Sequence, residues 1–324
     1  MNFNVLIQGS TVAENRVLVD VLLATYNGAK YLEALLYSLM KQKDVDINLI
    51  VGDDGSNDQT TEILNFFSNS FASFQLHNFN HLGPRDNFLN LLKFSKSRYL
   101  AFCDQDDIWD EFHLKNSVLR LQNSSNPICL TYSQVAEFEI ENELLEVWPD
   151  FKKNELTQIL VENPARGCTI VFSEGLRDLA KNQLPSCAIM HDWWILIVAW
   201  TCGEVVFEES PEVWYRLHEN NHIGKGKKGI RETLNNFKEG TWTPLIQAEE
   251  ILSTFERRMH VNAIEELRKF VIGINSTFKA RVTFLHQRKR QMRSSKIGEA
   301  KLILGIIFFP VLFRNQKRNR SYLN

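Results

Sequence analysis

Two clusters of aspartates stand where apolar runs of the chain end, and they define the chemistry that this sequence could perform. Asp53 and Asp54 follow NLIVG, and Asp104, Asp106 and Asp107 follow YLAFC. Three carboxylates on one short loop repel each other unless a cation, water or a basic side chain offsets their charge. Mg²⁺ and Mn²⁺ favour oxygen ligands, and Mg²⁺ commonly binds one or two carboxylates together with substrate phosphates. A metal here would neutralise a diphosphate leaving group.

Each cluster also has a purely structural explanation. The second one could be a solvated acidic turn in which Asp107 caps the next helix. The sequence Asp53-Asp54-Gly55-Ser56 could be a tight turn that opens a helix. Alternatively, its carboxylates could accept hydrogen bonds from a nucleoside, close to a helix N-terminus that favours phosphate. For either motif taken alone, both explanations stay open.

The elements around these clusters predict an α/β fold. Strands are predicted over 17–25, 48–52, 75–78 and 99–103, and helices over 29–42, 58–67 (with Asp58 as N-cap) and 87–96. Strands that alternate with helices predict a mostly parallel sheet. Ligands of such sheets bind beyond the carboxyl ends of the strands, where both acidic clusters fall.

The second half of the chain is less regular. It predicts strands over 128–135 and 168–172, helices over 176–182 and 193–201, and a helix-rich, increasingly basic region over 231–290. We therefore expect two regions: a sheet-containing domain over 1–230 and a helical C-terminal region over 231–324. A chain of 324 residues with 44% hydrophobic composition is long enough for both.

Three motifs, in this order, resemble glycosyltransferase family 2, the inverting GT-A enzymes. They are LLATYNGAKYLEALLYSLMKQ, IVGDDGSNDQT and FCDQDDIW, and the resemblance covers roughly the first 225 residues. The form FCDQDDIW, with the later MHDWW and YRLHENNHIG, is most similar to bacterial rhamnosyltransferase-like members that build surface polysaccharides. The resemblance implies a Rossmann-like GT-A sheet flanked by helices.

For the donor, the resemblance implies a nucleotide-sugar site. Thr25 and Tyr26 would flank the base, Asp53 and Asp54 would hold uracil or thymine and the ribose, and Asp104 would lie near the ribose. The base pocket leaves both UDP and dTDP sugars open.

For the metal and the diphosphate, the resemblance implies residues from two distant motifs. Asp106 would ligate Mn²⁺ or Mg²⁺, and His218 matches a late metal or diphosphate ligand. Arg216 could bind phosphate as a planar fork. Asp107 is an extra carboxylate beside these ligands.

On the acceptor side, Asp192 matches the family's general base. Inversion by direct displacement needs one carboxylate beside the acceptor oxygen, opposite the leaving diphosphate. The structural alternative makes Asp192 the N-cap of an apolar helix. Trp193 and Trp194 could offer an aromatic platform to a sugar or pack in the core, and Gly167 would allow close backbone approach.

The net charge of −2 conceals an asymmetry. Residues 279–324 carry twelve Lys and Arg against one acid, Glu299, so the rest of the chain is strongly acidic. This basic tail brackets the apolar stretch 302–313, which is shorter than the roughly 20 residues that cross a bilayer. It predicts a monotopic anchor on an anionic membrane, with an oligomer-forming helix or a disordered tail as alternatives.

Cysteine usage and the first residues predict the compartment. Five cysteines without a CxxC pair favour reduced thiols in a cytosolic protein. The start MNFNVLIQGS lacks the pattern of a signal peptide. We expect a cytoplasmic protein, peripheral on the cytoplasmic face of the membrane.

Rival functions fit the sequence less well. Nucleic-acid binding predicts basic residues interleaved with exposed aromatics on the main domain, but that domain is acidic, so no nucleic-acid partner is expected. A nucleotidyltransferase would carry a Gly-rich basic loop where this chain reads TYNGAKYL. The expected function is inverting, metal-dependent transfer of a sugar, from dTDP-rhamnose or a UDP-sugar, to a glycan or lipid-linked glycan of a surface polysaccharide. The alternative is a catalytically inactive GT-A protein that binds glycan.

Overall fold

The structure, a computed structural model, describes residues 16–138, 144–147, 155–186, 188–218, 230–287 and 292–308. The strands are β1 (Val17–Thr25), β2 (Val45–Asp53), β3 (Ser73–Asn78), β4 (Tyr99–Asp104), β5 (Ile108–Trp109), β6 (Cys129–Phe138), β7 (Leu144–Val147), β8 (Val171–Ser173) and β9 (Glu204–Arg216). The helices are α1 (Ala29–Met40), α2 (Thr60–Phe67), α3 (Gly83–Leu91), α4 (His113–Asn123), α5 (Leu156–Ile159), α6 (Glu174–Lys181), α7 (His191–Cys202), α8 (Ile230–Phe255), α9 (Val261–Asn275), α10 (Phe278–Gln287) and α11 (Lys296–Phe308).

The strands form one mixed sheet in the order β3-β2-β1-β4-β8-β6-β9-β5, with β7 paired to β6. The first four strands along the chain are mutually parallel where they pair. β8 runs antiparallel to both β4 and β6, while β6 and β9 are parallel. The predicted α/β class, with a helical C-terminal region, is confirmed.

Both faces of the sheet are buried, as the apolar runs of β1 and β2 predict. Leu22 and Ile50 belong to one apolar cluster, whereas Val21, Leu23 and Val51 belong to the other. Successive side chains of a strand point to opposite faces, so this alternation places one cluster on each face. α7 and α8 cover the first face, and α1 and α4 cover the second.

Some predicted capping and boundary details are wrong. Asp58 is not the N-cap of α2: its side chain accepts hydrogen bonds from the Thr60 and Ala29 backbone N–H groups, and so ties the starts of two helices together. Pro84 lies in the first turn of α3, so this helix begins before 87. Asp107 caps no helix, because α4 begins only at His113.

The predicted strand at 168–172 begins later than expected. Residues Gly167–Thr169 form a 3₁₀ turn, and β8 follows at Val171. The turn is closed because the Thr169 hydroxyl and backbone N–H both donate to the carbonyl of Arg166, each at 2.9 Å.

A buried charge cluster fixes β9 against α4. Arg120 donates to both carboxylate oxygens of Glu212, and His113 Nδ1 lies 3.2 Å from Glu212 Oε2. Burial acts to raise the pKa of Glu212, but the hydrogen bonds and charges of His113 and Arg120 outweigh it and lower that pKa to about 2. The carboxylate is therefore ionised at neutral pH, and β9 is held firmly just before it reaches the acidic loop.

The helices after residue 230 share the core of the sheet domain. Leu245, Phe255, Phe270 and Ile306 lie in the same apolar cluster as Phe102 of β4. The described helices after residue 230 do not have a core of their own. The division of the chain into two regions at residue 230 therefore remains a prediction. Residues 1–15 and 309–324, where the start of the chain and much of the basic tail fall, lie outside the described residues.

The predicted apolar anchor lies partly on α11. Leu302 and Ile306 are buried in the core, whereas Leu304 is about half exposed. Roughly half of the described part of this segment therefore packs against protein. Among the helices of the described residues, none combines the length and apolar character needed to cross a bilayer.

Candidate active site

The strand register brings the two acidic clusters to one edge of the sheet. Thr25 pairs with Asp53 across β1 and β2, and Ala24 pairs with Asp104 across β1 and β4. These are carboxyl ends of parallel strands, where α/β sheets bind their ligands. The sequence prediction that the clusters meet is confirmed.

Asp53 is committed to shaping its own loop. Its carboxylate is buried and accepts hydrogen bonds from the Thr25 and Ser56 hydroxyls and from the backbone N–H groups of Gly55 and Ser56. Four donors fill the usual acceptor positions of a carboxylate. A nucleoside could bond to Asp53 only by replacing one of them, so the predicted base contact is revised to a role in holding the loop.

Asp54 and Tyr26 are placed differently. Asp54 accepts the backbone N–H groups of Leu82 and Gly83 at 2.7 Å each, which leaves acceptor capacity on its carboxylate although the residue is buried. Tyr26 is 47% exposed, and its ring lies edge-on to His81, with centroids 5.8 Å apart. Tyr26 therefore presents an aromatic surface at the edge where a base would bind.

Gln105 joins the two loops. Its side-chain amide accepts from the Tyr26 N–H at 2.9 Å and donates to the Tyr26 carbonyl at 3.1 Å. Gly28 makes room for it, because a Cβ at that position would lie 2.2 Å from Gln105 Oε1. The middle residue of DQD thus fixes the acidic loop to the end of β1.

Two predicted metal ligands from distant motifs meet directly. His218 Nε2 lies 2.7 Å from Asp106 Oδ2, and both side chains remain slightly exposed, at 11% and 16%. The His218 ring stacks on Tyr31, with centroids 4.8 Å apart and planes inclined by 29°. The fold thus brings His218 into contact with Asp106, and the predicted role of both residues as metal ligands stays a prediction.

Arg216 is turned toward the protein. Its Nε donates to the Asp106 carbonyl at 2.9 Å, and its guanidinium lies over the rings of Tyr31 and Phe138. Its backbone N–H donates to Asp107 Oδ1 at 3.0 Å. As placed, Arg216 supports the acidic loop, and its phosphate contact stays a prediction.

Asp104, Asp107 and Cys168 form a second group, with ligand atoms within 4.8 Å of one another. Burial raises the pKa values of Asp107 and of the Cys168 thiol well above their ordinary ranges. A neutral thiol is a poor ligand for Mg²⁺ or Mn²⁺. We therefore favour the more exposed pair Asp106 and His218 over this group as ligands of a hard cation.

The crowded carboxylates affect the pKa of Asp104. Burial, followed by the charges of Asp106 and Asp192, raises the pKa of Asp104 to about 8, and Arg166 opposes this shift. Because Asp192 contributes to this shift, the predicted base lies within electrostatic reach of Asp104. The site therefore favours a cation.

Asp192 has the environment of a general base. Asn163 Nδ2 donates to its Oδ2 at 3.0 Å, and the Trp193 N–H donates to its Oδ1 at 2.7 Å. Burial raises the pKa of Asp192 to about 6, although these hydrogen bonds and the charge of Arg166 act against the rise. The N-cap of α7 is Met190, so Asp192 does not cap this helix. A carboxylate with such a pKa is ionised at neutral pH and still basic enough to accept a proton.

Gly167 lies directly against His191 and Asp192. A Cβ at this position would lie 3.3 Å from His191 Nε2 and 3.6 Å from Asp192 Oδ2, so the glycine permits the close approach that the sequence predicts. His191 is buried and stacks on Phe88 at 3.9 Å. Burial lowers the pKa of His191 to about 3, and its ring is therefore neutral.

The two tryptophans have different environments. Trp194 is 1% exposed and packs near Phe255, with centroids 6.0 Å apart, so its predicted role as a sugar platform is wrong. Trp193 is partly buried, and its Nε1 donates to the Ile159 carbonyl at 2.6 Å. Of the two, Trp193 keeps more exposed surface, next to Asp192.

Sequence reasoning missed Gln105 and Asn163. Gln105 stands inside the quoted FCDQDDIW motif, so its position was visible, but its bond to Tyr26 depends on the pairing of β1 with β4. Asn163 lies in an irregular segment far from any motif. Only the fold shows that it reaches Asp192.

Comparisons with known proteins agree with this architecture. The model of glycosyl transferase family 2 matches residues 20–179. The dTDP-rhamnosyl transferase RfbG of Shigella flexneri is 30% identical over 225 residues, which are 62% of this chain and 73% of the relative. The UDP-Glc:alpha-D-GlcNAc-diphosphoundecaprenol beta-1,3-glucosyltransferase WfaP of Escherichia coli is 32% identical over 103 residues, which are 31% of this chain and 40% of the relative.

Solved structures share the fold. Residues 1–349 of S. aureus TarS, in a complex with UDP-GlcNAc, match with a TM-score of 0.55 at 15% identity, covering 93% of this chain and 92% of that one. The fold is therefore of the GT-A type. The chain belongs to glycosyltransferase family 2.

Asn163→Leu tests the environment of Asp192. Loss of the hydrogen bond to the ionised carboxylate raises the pKa of Asp192. Transfer requires the ionised form, so activity falls as the pH drops through this pKa. The acid limb of kcat/KM for acceptor, expected near pH 6 in the wild type, should move to higher pH.

The matched control is Asn182→Leu, since Asn182 is exposed and its side chain bonds only to the Asp178 carbonyl in the described part of the chain. A pH profile that is the same for Asn163→Leu and wild type would contradict the assignment of Asp192 as the titrating base.

Proposed function

We propose that this protein is an inverting, metal-dependent glycosyltransferase of surface polysaccharide biosynthesis. It takes a sugar from a dTDP- or UDP-linked donor and adds it to a glycan or lipid-linked glycan. The observation that carries the proposal is Asp192, a desolvated carboxylate with a pKa raised to about 6, within electrostatic reach of Asp104. This arrangement combines a base with an anionic site suited to a cation and a diphosphate.

The donor proposal has two supports. The relative from Shigella flexneri is named a dTDP-rhamnosyl transferase, and the relative from Escherichia coli is named a UDP-Glc transferase. L-Rhamnose from dTDP-rhamnose is the donor we favour, since RfbG matches over more of the chain. Tyr26 and Asp54 lie at the sheet edge where the nucleoside would bind, and the buried Thr25 supports them through its hydrogen bond to Asp53.

The residues at the acidic loop fit a divalent cation. Asp106 and His218 face each other from the loops after β4 and β9 and retain some exposure. Carboxylate and imidazole are both suitable ligands for Mn²⁺, and carboxylate suits Mg²⁺. When bound, Mn²⁺ or Mg²⁺ would stabilise negative charge on the departing diphosphate.

Asp192 then accounts for inversion. Its carboxylate takes the proton of the acceptor hydroxyl while that oxygen forms a bond to the anomeric carbon. The bond from this carbon to the diphosphate breaks, and its electron pair leaves with the nucleoside diphosphate. Attack opposite the leaving group inverts the anomeric configuration. Asn163 holds the carboxylate in place through a single hydrogen bond.

A donor panel with Asp192→Asn tests this proposal. Release of nucleoside diphosphate from UDP-, dTDP- and GDP-sugars is measured with Mn²⁺, Mg²⁺ or EDTA. We expect turnover with one dTDP- or UDP-sugar and metal only. Asp192→Asn should bind the donor with unchanged affinity and lose about 100-fold or more in turnover, since general base catalysis contributes about 10²–10⁴-fold.

The control is Asp178→Asn, because Asp178 is an exposed carboxylate on α6 that pairs with Arg177 and Lys181. Absence of binding by every donor would overturn the enzyme proposal. Binding of glycan without any turnover would favour the inactive glycan-binding alternative.

We further propose that the protein binds the cytoplasmic face of an anionic membrane through its C-terminal helices. Phe278 and Val282 stand one turn apart on α10 and are 56% and 42% exposed, and Ile297 of α11 is 70% exposed. Exposed Lys279 and Lys296 adjoin them in sequence. Apolar and basic side chains together favour an anionic interface. The acceptor named in the WfaP description, a diphosphoundecaprenol, is a lipid, which agrees with this location.

Liposome flotation with point variants tests membrane contact. The double variant Phe278→Ser/Ile297→Ser should float markedly less than wild type with vesicles containing anionic lipid. Phe66→Ser is the control, because Phe66 is 78% exposed on α2 of the sheet domain. Equal flotation of all three proteins would exclude contact through these helices.

A further inference from the structure

The segment that leads into the base helix α7 is held by α8. We define this lead-in segment as residues 188–190. The Ile189 N–H donates to Gln247 Oε1 at 3.0 Å. Gln247 is fully buried. Just before the segment, the N–H and hydroxyl of Ser186 both donate to Glu250 Oε1 at 2.6 Å.

The lead-in segment connects these contacts with α8 to the first turn of α7, which carries Asp192. The Met190 carbonyl accepts the Trp194 N–H at 3.1 Å and so closes the first turn of α7. On the other side, Arg85 Nη1 donates to the Ala188 carbonyl at 3.0 Å. Every residue of the lead-in segment therefore has a backbone group fixed by a neighbouring element or by α7.

Packing reinforces the same contact. Trp194, two residues after Asp192, lies in one apolar cluster with Leu245, Ala248 and Ile251 of α8. These three residues flank Gln247 in sequence and are all nearly or fully buried. The amide of Gln247 is thus enclosed in apolar surroundings, where losing a hydrogen bond is destabilising.

Gln247 has one clear function in this position. Its Nε2 has no hydrogen-bond partner in the described part of the chain, so the bond from Ile189 is what compensates for burying the amide. An apolar residue of the same size would leave the Ile189 N–H without this acceptor. The hydrogen bond from Ile189 to Gln247 fixes the position of the lead-in segment along the axis of α8.

We infer that Gln247 is a positioning residue that sets the place of the base, Asp192, so that the C-terminal helical region takes part in transfer. The inference rests on the proposed function of Asp192. It gives α8 a role in transfer, although α8 lies outside the acidic motifs and outside residues 20–179, which match the family model.

The charged groups around Asp192 determine how a shift of its pH profile is interpreted. Burial raises the pKa of Asp192, whereas the hydrogen bond from Asn163 and the charge of Arg166 lower it. The carboxyl of Asp104 lies within electrostatic reach. His191 beside it is neutral. From α8 and α3, Glu250 and Arg85 bond to the chain just before α7, and Asp86 pairs with Arg85. Gln247→Leu changes none of these charges, so a shift of the pH profile reports solvent access to Asp192.

The experiment compares full-length wild type, Gln247→Leu, Glu250→Ala and the control Ser253→Ala, an exposed position on α8. Gln247→Leu should lower kcat for transfer about 10-fold, because a displacement of about 1 Å costs up to about 100-fold. The donor KM should stay unchanged. The acid limb should move to lower pH, since water reaching Asp192 relieves its desolvation. Glu250→Ala should act in the same direction and more weakly, and Ser253→Ala should match wild type.

Hydrogen exchange provides a readout that does not depend on the reaction. Gln247→Leu should speed exchange of the amides of residues 188–195 and leave those of β1 and β2 unchanged. Should the wild type transfer no sugar, the proposed function fails, and hydrogen exchange alone decides the positioning role. Unchanged exchange at 188–195, or a wild-type kcat and pH profile in Gln247→Leu, would overturn the inference.

Discussion

Carboxylates crowded at the carboxyl edge of the sheet are the constraint on which the rest of this structure depends. Asp104, Asp106 and Asp107 share one loop, and burial with mutual repulsion raises the pKa values of Asp104 and Asp107. A fold without a use for a cation would gain by removing such a cluster. Here the neighbouring elements hold the cluster in place. Gln105 fixes the loop to β1, and the backbone N–H of Arg216, the last residue of β9, donates to Asp107.

The same motifs serve structure and chemistry at once. The Asp53 carboxylate accepts hydrogen bonds within its own loop, and Arg216 Nε donates to the Asp106 carbonyl. Asp106 and His218 keep some exposure and face each other. Site residues thus divide into those that shape the pocket and those that remain available to substrate and metal.

Much of the fold and part of the site follow from the sequence. The apolar runs of β1 and β2, each ended by an acidic motif, predict the parallel sheet and the shared edge. Hydrogen-bond partners are less predictable, because they depend on register and on irregular segments, as with Asn163. Trp194 shows a further limit: a tryptophan beside a base fits a sugar platform or a core equally well, and only the packing of α8 against α7 decides for the core.

Uptake of Mn²⁺ in the presence of UDP or dTDP tests the central claim, that the acidic edge is a cation site for a nucleoside diphosphate. Loss of the free-ion EPR signal during titration measures binding directly. The account predicts saturable Mn²⁺ binding that is strengthened by nucleotide, lost in Asp106→Asn and retained in Asp178→Asn. Nucleotide binding that is equally tight in EDTA, with no Mn²⁺ uptake by the wild type, would contradict it.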